Sequence, residues 1–150
     1  MEAEQVEASQ TILKPWILPT GNDFIKDTAQ QYKLPEGNPG ESFPFVQNDF
    51  DDSGWEQVEL SHDWAIKGPF IAENIPGIAS MGRLPSFGVA WYRRNLEIPA
   101  SDQDRNIYLD GEGAMSYAMV WINGHLAVGW PYGYNFFCPD LTPYVSFGAT

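Results

Sequence analysis

The sequence holds a single cysteine, Cys138, among 150 residues. A lone thiol forms no intramolecular disulfide and cannot supply the grouped thiolates of a structural zinc site. It reads as a buried, inert side chain, since nothing in the sequence sets His62 or His125 beside it as an activating base. Those two are the only histidines. With no His-Glu-x-x-His or Cys-x-x-Cys spacing, neither a metal site nor a cofactor is predicted. Positive charge is scarce as well: 8 Lys and Arg stand against 20 Asp and Glu, a net charge of −12. That excess disfavours nucleic acid and anionic membrane surfaces as partners. No apolar run approaches the ~20 residues of a membrane span. Residues 1–10 are acidic where a secretory leader would be basic and then apolar, so the chain reads as soluble. A leader already removed would place it in the periplasm or outside the cell. No internal repeat is visible.

What the chain has is aromatic residues, proline and glycine. Apolar residues make up 43% and aromatic ones 15%, which places the chain among globular proteins of one modest domain. Twelve Pro and 14 Gly cut it into short segments, leaving little room for long helices and favouring an all-β fold. Asn123-Gly124 is the strongest local signal, because a two-residue type I′ turn needs positive φ at both central positions. That turn predicts the pairs Ile122–His125, Trp121–Leu126, Val120–Ala127 and Met119–Val128. Both faces of such a hairpin are largely apolar, which suits an inner pair of a β-sandwich.

Upstream the pattern is weaker. Residues 12–18 read as a strand interrupted by Pro15, and residues 23–32 as a short helix behind an Asp23 cap. Residues 33–44 are loop. Alternation predicts strands over 55–60 and 90–98, with 106–109 as partner of the latter across a polar turn at 100–105. On 90–98, Tyr92, Leu96 and Ile98 share a face with Arg94, while Trp91, Arg93, Asn95 and Glu97 share the other. Residues 66–85 form a long Gly- and Pro-marked connection. Thr142-Pro143 reads as a cap followed by Pro at the first helical position, so one turn closes the sheet after Asp140.

Four ordered blocks then carry a family resemblance. They are Phe50-Asp51-Asp52-Ser53-Gly54-Trp55-Glu56-Gln57-Val58; Leu60-Ser61-His62-Asp63-Trp64; Gly88-Val89-Ala90-Trp91-Tyr92-Arg93-Arg94; and the Asn-Gly hairpin followed by Tyr132-Gly133-Tyr134 and Asp140-Leu141-Thr142-Pro143-Tyr144. Together they resemble the amino-terminal sugar-binding domain of family 2 glycoside hydrolases, with one departure at Ser61, where the family usually has Pro. The resemblance implies a jelly-roll β-sandwich over 50–150, with 1–49 as a lead-in and first strands of the same domain. It also implies a retaining glycosidase as parent protein, with one carboxyl group as acid and a second, about 5 Å away, as nucleophile. In the family both are Glu residues on a downstream (β/α)₈ barrel. No position here matches that motif, so this chain is assigned no catalytic residue. The implied partners are a carbohydrate, and immunoglobulin-like and barrel domains of the same polypeptide. Gly82-Arg83-Leu84-Pro85 and Trp130-Pro131-Tyr132-Gly133-Tyr134 look most like the β-galactosidase branch.

His62-Asp63 beside Trp64 could be part of a triad, but neighbours on an extended chain point apart, and a structural His62 bonded to the backbone is the favoured reading. Trp55, Trp91 and Trp121 read as core. Asp49, Asp51 and Asp52 could hold calcium, although solvated turns are the first reading of these acids and of Asp102 to Asp104. Trp130, Tyr132 and Tyr134, in a Gly- and Pro-marked loop, are the candidates for stacking on a sugar, with packing onto a neighbouring domain as the competing role.

The family pattern continues past Gly148 with a further strand, so the sandwich is expected to lack its last strand or strands. An unpaired strand edge invites association. The isolated chain is therefore expected to be marginally stable or self-associating; a monomer melting well above about 45–65 °C would contradict this.

Overall fold

The structure is a computed structural model and describes residues 14–19, 22, 25–67 and 89–148. Among the described residues the one regular sheet is the expected hairpin, β1 (Ala118–Ile122) and β2 (His125–Trp130), paired antiparallel. Asn123 and Gly124 both take positive φ, 49° and 81°, as a primed turn requires. The register agrees with expectation for Ile122–His125 and Trp121–Leu126 and then slips. A bulge lies between Val120 and Trp121, so Val120 faces Val128, Met119 faces Gly129 and Ala118 faces Trp130. Ala127 is the extra residue, and a bulge of this kind adds twist that a turn signal cannot reveal. Ala127 and Val128 therefore do not pair with Val120 and Met119 as predicted.

The rest of the described chain is turns and extended segments. Residues 14–17 form a helical turn where a strand was expected, which suits Pro15 in a first turn. Within 25–32, the described part of the expected helix, there is instead one 3₁₀ turn, Thr28–Gln30, capped by Asp27, whose Oδ1 accepts from Ala29 N at 3.0 Å. Asp23 lies outside the described residues. Among the described residues, 55–60 and 90–98 form no ladder. Alternation marks which side of a segment is buried, but a strand also needs a partner for its backbone groups. Residues 106–109 do find one, and it is not 90–98. Tyr108 bridges Asp140, Leu109 N donates to Pro139 O at 3.1 Å, and Leu141 N donates to Ile107 O at 2.7 Å. The polar turn is present as the 3₁₀ segment Ala100–Asp102, with Arg105 paired to Asp102 at 3.2 Å. All-β character in the coarse sense holds: strands, bridges and short 3₁₀ turns.

Among the described residues the hairpin is covered by aromatic side chains from loops. Trp121 contacts Trp91 and Phe43 at centroid distances of 5.4 and 6.0 Å, and Phe45 reaches Trp91 at 5.0 Å, Phe50 at 5.4 Å and Trp55 at 5.8 Å. These edge and tilted contacts suit the ring quadrupoles. They assign Trp55, Trp91 and Trp121 to one half-buried cluster, as expected of core residues. Arg93 ties the loop over it. Its Nη1 donates to Phe45 O and Gln47 O at 2.9 Å, its Nη2 donates to Asn48 O at 3.3 Å, and its Nε lies 3.0 Å from Asp52 Oδ2. The guanidinium also sits 5.8 Å from the Phe50 ring centre. The inward side of 90–98 is thus the one carrying Trp91 and Arg93, while Tyr92, Arg94 and Leu96 are exposed.

Asn38 anchors the other edge. Its Nδ2 donates to Gly124 O at 2.7 Å, and its Oδ1 accepts from Leu126 N at 2.8 Å. One side-chain amide thus satisfies two backbone groups, one in the turn and one at the start of β2, across 86 and 88 residues of sequence. Next to it, Trp121 Nε1 donates to Pro39 O at 2.9 Å. Gly40 has φ +78°, and a Cβ there would lie 2.7 Å from Trp121 Cζ2, so the chain passes this ring only as glycine. Asn38→Ala strands the Leu126 amide beside the most buried side chain of the core. The expected loss is about 1–3 kcal/mol, read as a lower urea midpoint at unchanged slope.

Candidate functional site

The loop that leaves β2 is fixed at both ends and projects between them. Trp130 closes the strand half-buried, stacked on Phe137 at 6.1 Å and meeting Tyr132 edge-on at 5.8 Å. Phe137 is buried and exchanges both backbone hydrogen bonds with Gly111, at 2.9 and 3.0 Å. A Cβ on Gly111 would lie 2.8 Å from the Phe137 ring, so a bare backbone at 111 makes room for it. Between these pins the side chains face water: Tyr132 is 59% exposed, Tyr134 80% and Phe136 75%. A second loop lies alongside. Tyr117 N donates to Pro131 O at 3.3 Å, and a Cβ on Gly133 would lie 3.0 Å from Met115 Cγ. Tyr117 holds φ +59°, uncommon for a residue with a Cβ.

The three candidate sugar-facing residues are therefore not equivalent. Trp130 and Tyr132 touch each other, and Trp130 acts as a floor, while Tyr134 is the most exposed large apolar side chain among the described residues. Phe136, Met115 and Tyr117 were not singled out from the sequence. Phe136 turns outward because its neighbour Phe137 is buried on an extended approach, where successive side chains point to opposite sides.

The motif residues sit elsewhere. His62 Nδ1 lies 2.9 Å from the Tyr92 hydroxyl, with the rings edge-on at 5.8 Å. Its partner is a side chain and not the backbone expected for it, because Tyr92 projects outward from the 90–98 segment. Asp63 Oδ1 accepts from Ala65 N at 2.9 Å within its own turn, and Trp64 is exposed. Among the described residues no hydrogen bond or ring contact joins these three to Trp130, Tyr132 or Tyr134. Asp51 Oδ1 accepts from Ser53 N and Asp52 pairs with Arg93, so two of the three carboxylates of the considered calcium set have turn and framework partners. Among the described residues no group of three or more His, Cys, Asp or Glu could hold a metal ion. Cys138 is exposed, contrary to its reading as a buried thiol. It follows inward-facing Phe137 on a bridged segment, and that alternation turns it outward.

Asp140 and Asn123 fasten the end of the described chain. Residues Thr142–Tyr144 form the expected single turn, but Thr142 is its first residue and not its cap. The Thr142 hydroxyl accepts from Ile107 N at 2.8 Å, and Thr142 N donates to Asp140 Oδ1 at 2.9 Å. The Thr142 hydroxyl, then its amide, hold the Asp140 carboxyl below its ordinary range. Asn123 Nδ2 donates to Tyr144 O at 2.8 Å, and the His125 ring lies 6.3 Å from that of Tyr144.

No family model matches the chain. Among curated relatives, a β-galactosidase of Bacteroides ovatus is 38% identical over 106 residues, covering 71% of this chain and 12% of the relative. A β-glucuronidase of Formosa agariphila is 35% identical over 66 residues, 41% of this chain and 6% of the relative. Among solved structures, a glycosyl hydrolase family 2 member from Bacteroides cellulosilyticus superposes with a TM-score of 0.57 at 34% identity, covering 70% of this chain and 14% of its own. The chain thus spans only about an eighth of the β-galactosidase it matches. The motifs at 82–85 and Gly88 lie outside the described residues.

A carboxyl whose folded pKa is lowered adds stability above its unfolded pKa, and that stability is lost as pH falls through the folded value. Asp140→Ala is expected to flatten part of the acid limb of a plot of urea midpoint against pH. Asp51 and Glu56, lowered by Ser53 and Lys67 respectively, keep the remainder.

Proposed function

Because this chain belongs with the family 2 glycoside hydrolases as a single-domain-sized part of such a protein, we propose that it is the non-catalytic, amino-terminal sugar-binding and scaffolding domain of a β-galactosidase-like glycosidase. The observation that carries this reading is the disproportion of the match: most of this chain corresponds to about an eighth of each enzyme. On this reading residues 50–150 are a jelly-roll sandwich, with 1–49 as lead-in to the same domain. The two carboxyl groups of a retaining mechanism then stand on a downstream (β/α)₈ barrel, reached through an immunoglobulin-like domain, and the sugar cleaved is a β-galactoside.

The role of this domain is to brace that barrel and shape the mouth of its pocket. Two features support it. The aromatic rings with framework duties, from Phe43 to Trp121, are occupied with one another. Those of the loop after β2 are presented outward on a short, pinned support, where apolar ring faces can meet either sugar C–H faces or a neighbouring domain. The 80% exposure of Tyr134 also fits a freestanding carbohydrate-binding module, which is the alternative reading.

The test is a ¹H–¹⁵N correlation spectrum of the chain, alone and with millimolar galactose. A scaffolding domain gives a spectrum indifferent to the free sugar, and the chain leaves a chromogenic β-galactoside intact. Saturable shifts that Tyr134→Ala abolishes would replace this reading with the freestanding module. Hydrolysis by the purified chain would overturn the assignment of catalysis elsewhere. Since Tyr134 is exposed, Tyr134→Ala is expected to change stability by no more than about 0.5 kcal/mol.

A further inference from the structure

Eight asparagines occur in the sequence, and only Asn123 is followed by glycine; the others precede Asp, Pro, Ile, Leu or Phe. A following glycine leaves its backbone nitrogen unshielded and its φ and ψ free, the conditions under which that nitrogen can reach the preceding side-chain carbon. Asn123 is also exposed, at the tip of the hairpin. We propose that Asn123 is the principal deamidation site of this chain, and that the folded hairpin restrains the reaction through the Asn123 amide itself.

The chemistry is internal. The Gly124 nitrogen gives up its proton to solvent base and bonds to Asn123 Cγ, Nδ2 takes a proton from water, the Cγ–Nδ2 bond breaks, and ammonia leaves. Water then opens the resulting imide at either carbonyl to give aspartate or isoaspartate. The leaving nitrogen in this sequence is the one that donates to Tyr144 O at 2.8 Å. Positive φ at both turn residues holds the backbone in a fixed primed turn rather than letting it fold onto its own side chain. Reaction therefore requires the turn and the contact to Tyr144 to open together.

The product cannot restore what is lost. A carboxylate at 123 has no donor for Tyr144 O, and two acceptors face each other there. Isoaspartate adds a backbone atom inside a two-residue turn, which disturbs the Ile122–His125 pair that sets the register. Modification thus frees the Thr142–Tyr144 turn from the hairpin and adds one more negative charge to a chain already at −12.

The test is ageing of the full chain in mildly alkaline buffer, with and without concentrated urea, followed by peptide mass mapping. The expected result is a gain of about one mass unit that accumulates first in the peptide containing Asn123. It should be slower by roughly two- to tenfold in the folded chain, the range a net hydrogen bond supplies. Gly124→Ala, compared in urea so that folding plays no part, should slow it further. Earlier modification at another asparagine, equal rates in buffer and urea, or no modification in either would overturn the proposal.

Discussion

One side-chain amide sets how the two halves of this chain meet. Asn38 presents a donor and an acceptor in the geometry of a peptide group, and β2 receives both at Gly124 O and Leu126 N. An exposed strand edge must satisfy its backbone groups somewhere. Here a residue from a distant loop does so, and its neighbours follow: Pro39 accepts from the Trp121 indole, and Gly40 slides under that ring. From Trp121 the aromatic contacts run to Trp91, Phe43, Phe45, Phe50 and Trp55. The described loops of the first half acquire a fixed position through these contacts.

Arg93 solves the same problem for the loop at 45–52. A guanidinium with several donors in a plane collects three carbonyl groups and one carboxylate. A turn-rich loop has many carbonyls and few amides placed to meet them, so a single planar cation is an economical organiser. Framework and display are then divided between two sets of rings. One set is mutually covered around the hairpin, and the other rises from the segment between Trp130 and Phe137.

Local chemistry was legible in the sequence. The Asn123-Gly124 turn, the first two pairs beside it, the 3₁₀ turn at Thr142–Tyr144, the polar turn at 100–105 and the core placement of three tryptophans each follow from a residue's own conformational or burial preference. The four motif blocks also pointed to family 2 glycoside hydrolases. Partners were not legible in the same way. Residues 106–109 alternate as a strand does, but nothing in them names residues 137–141 as their neighbour. Residues 90–98 alternate too, yet among the described residues they join no ladder, and Ile98 O accepts instead from Gly148 N at 2.8 Å. The candidate loop was found through its Gly, Pro and aromatic residues, whereas the outward turn of Phe136 and Cys138 depends on where the bridge to Gly111 fixes Phe137.

The sequence by itself determined the turn, the aromatic and acidic character and the kinship of this chain, because φ preferences, hydrophobicity and motif order are properties of short segments. Tertiary structure decided the bulge at Ala127, the reach of Asn38 to the hairpin, the pairing of His62 with Tyr92 and the division between covered and exposed rings. Apart from the bulge, which lies within the hairpin, these depend on contacts between segments far apart in the chain, whose energy exists only once both are in place. A pattern read along one segment carries no record of the other.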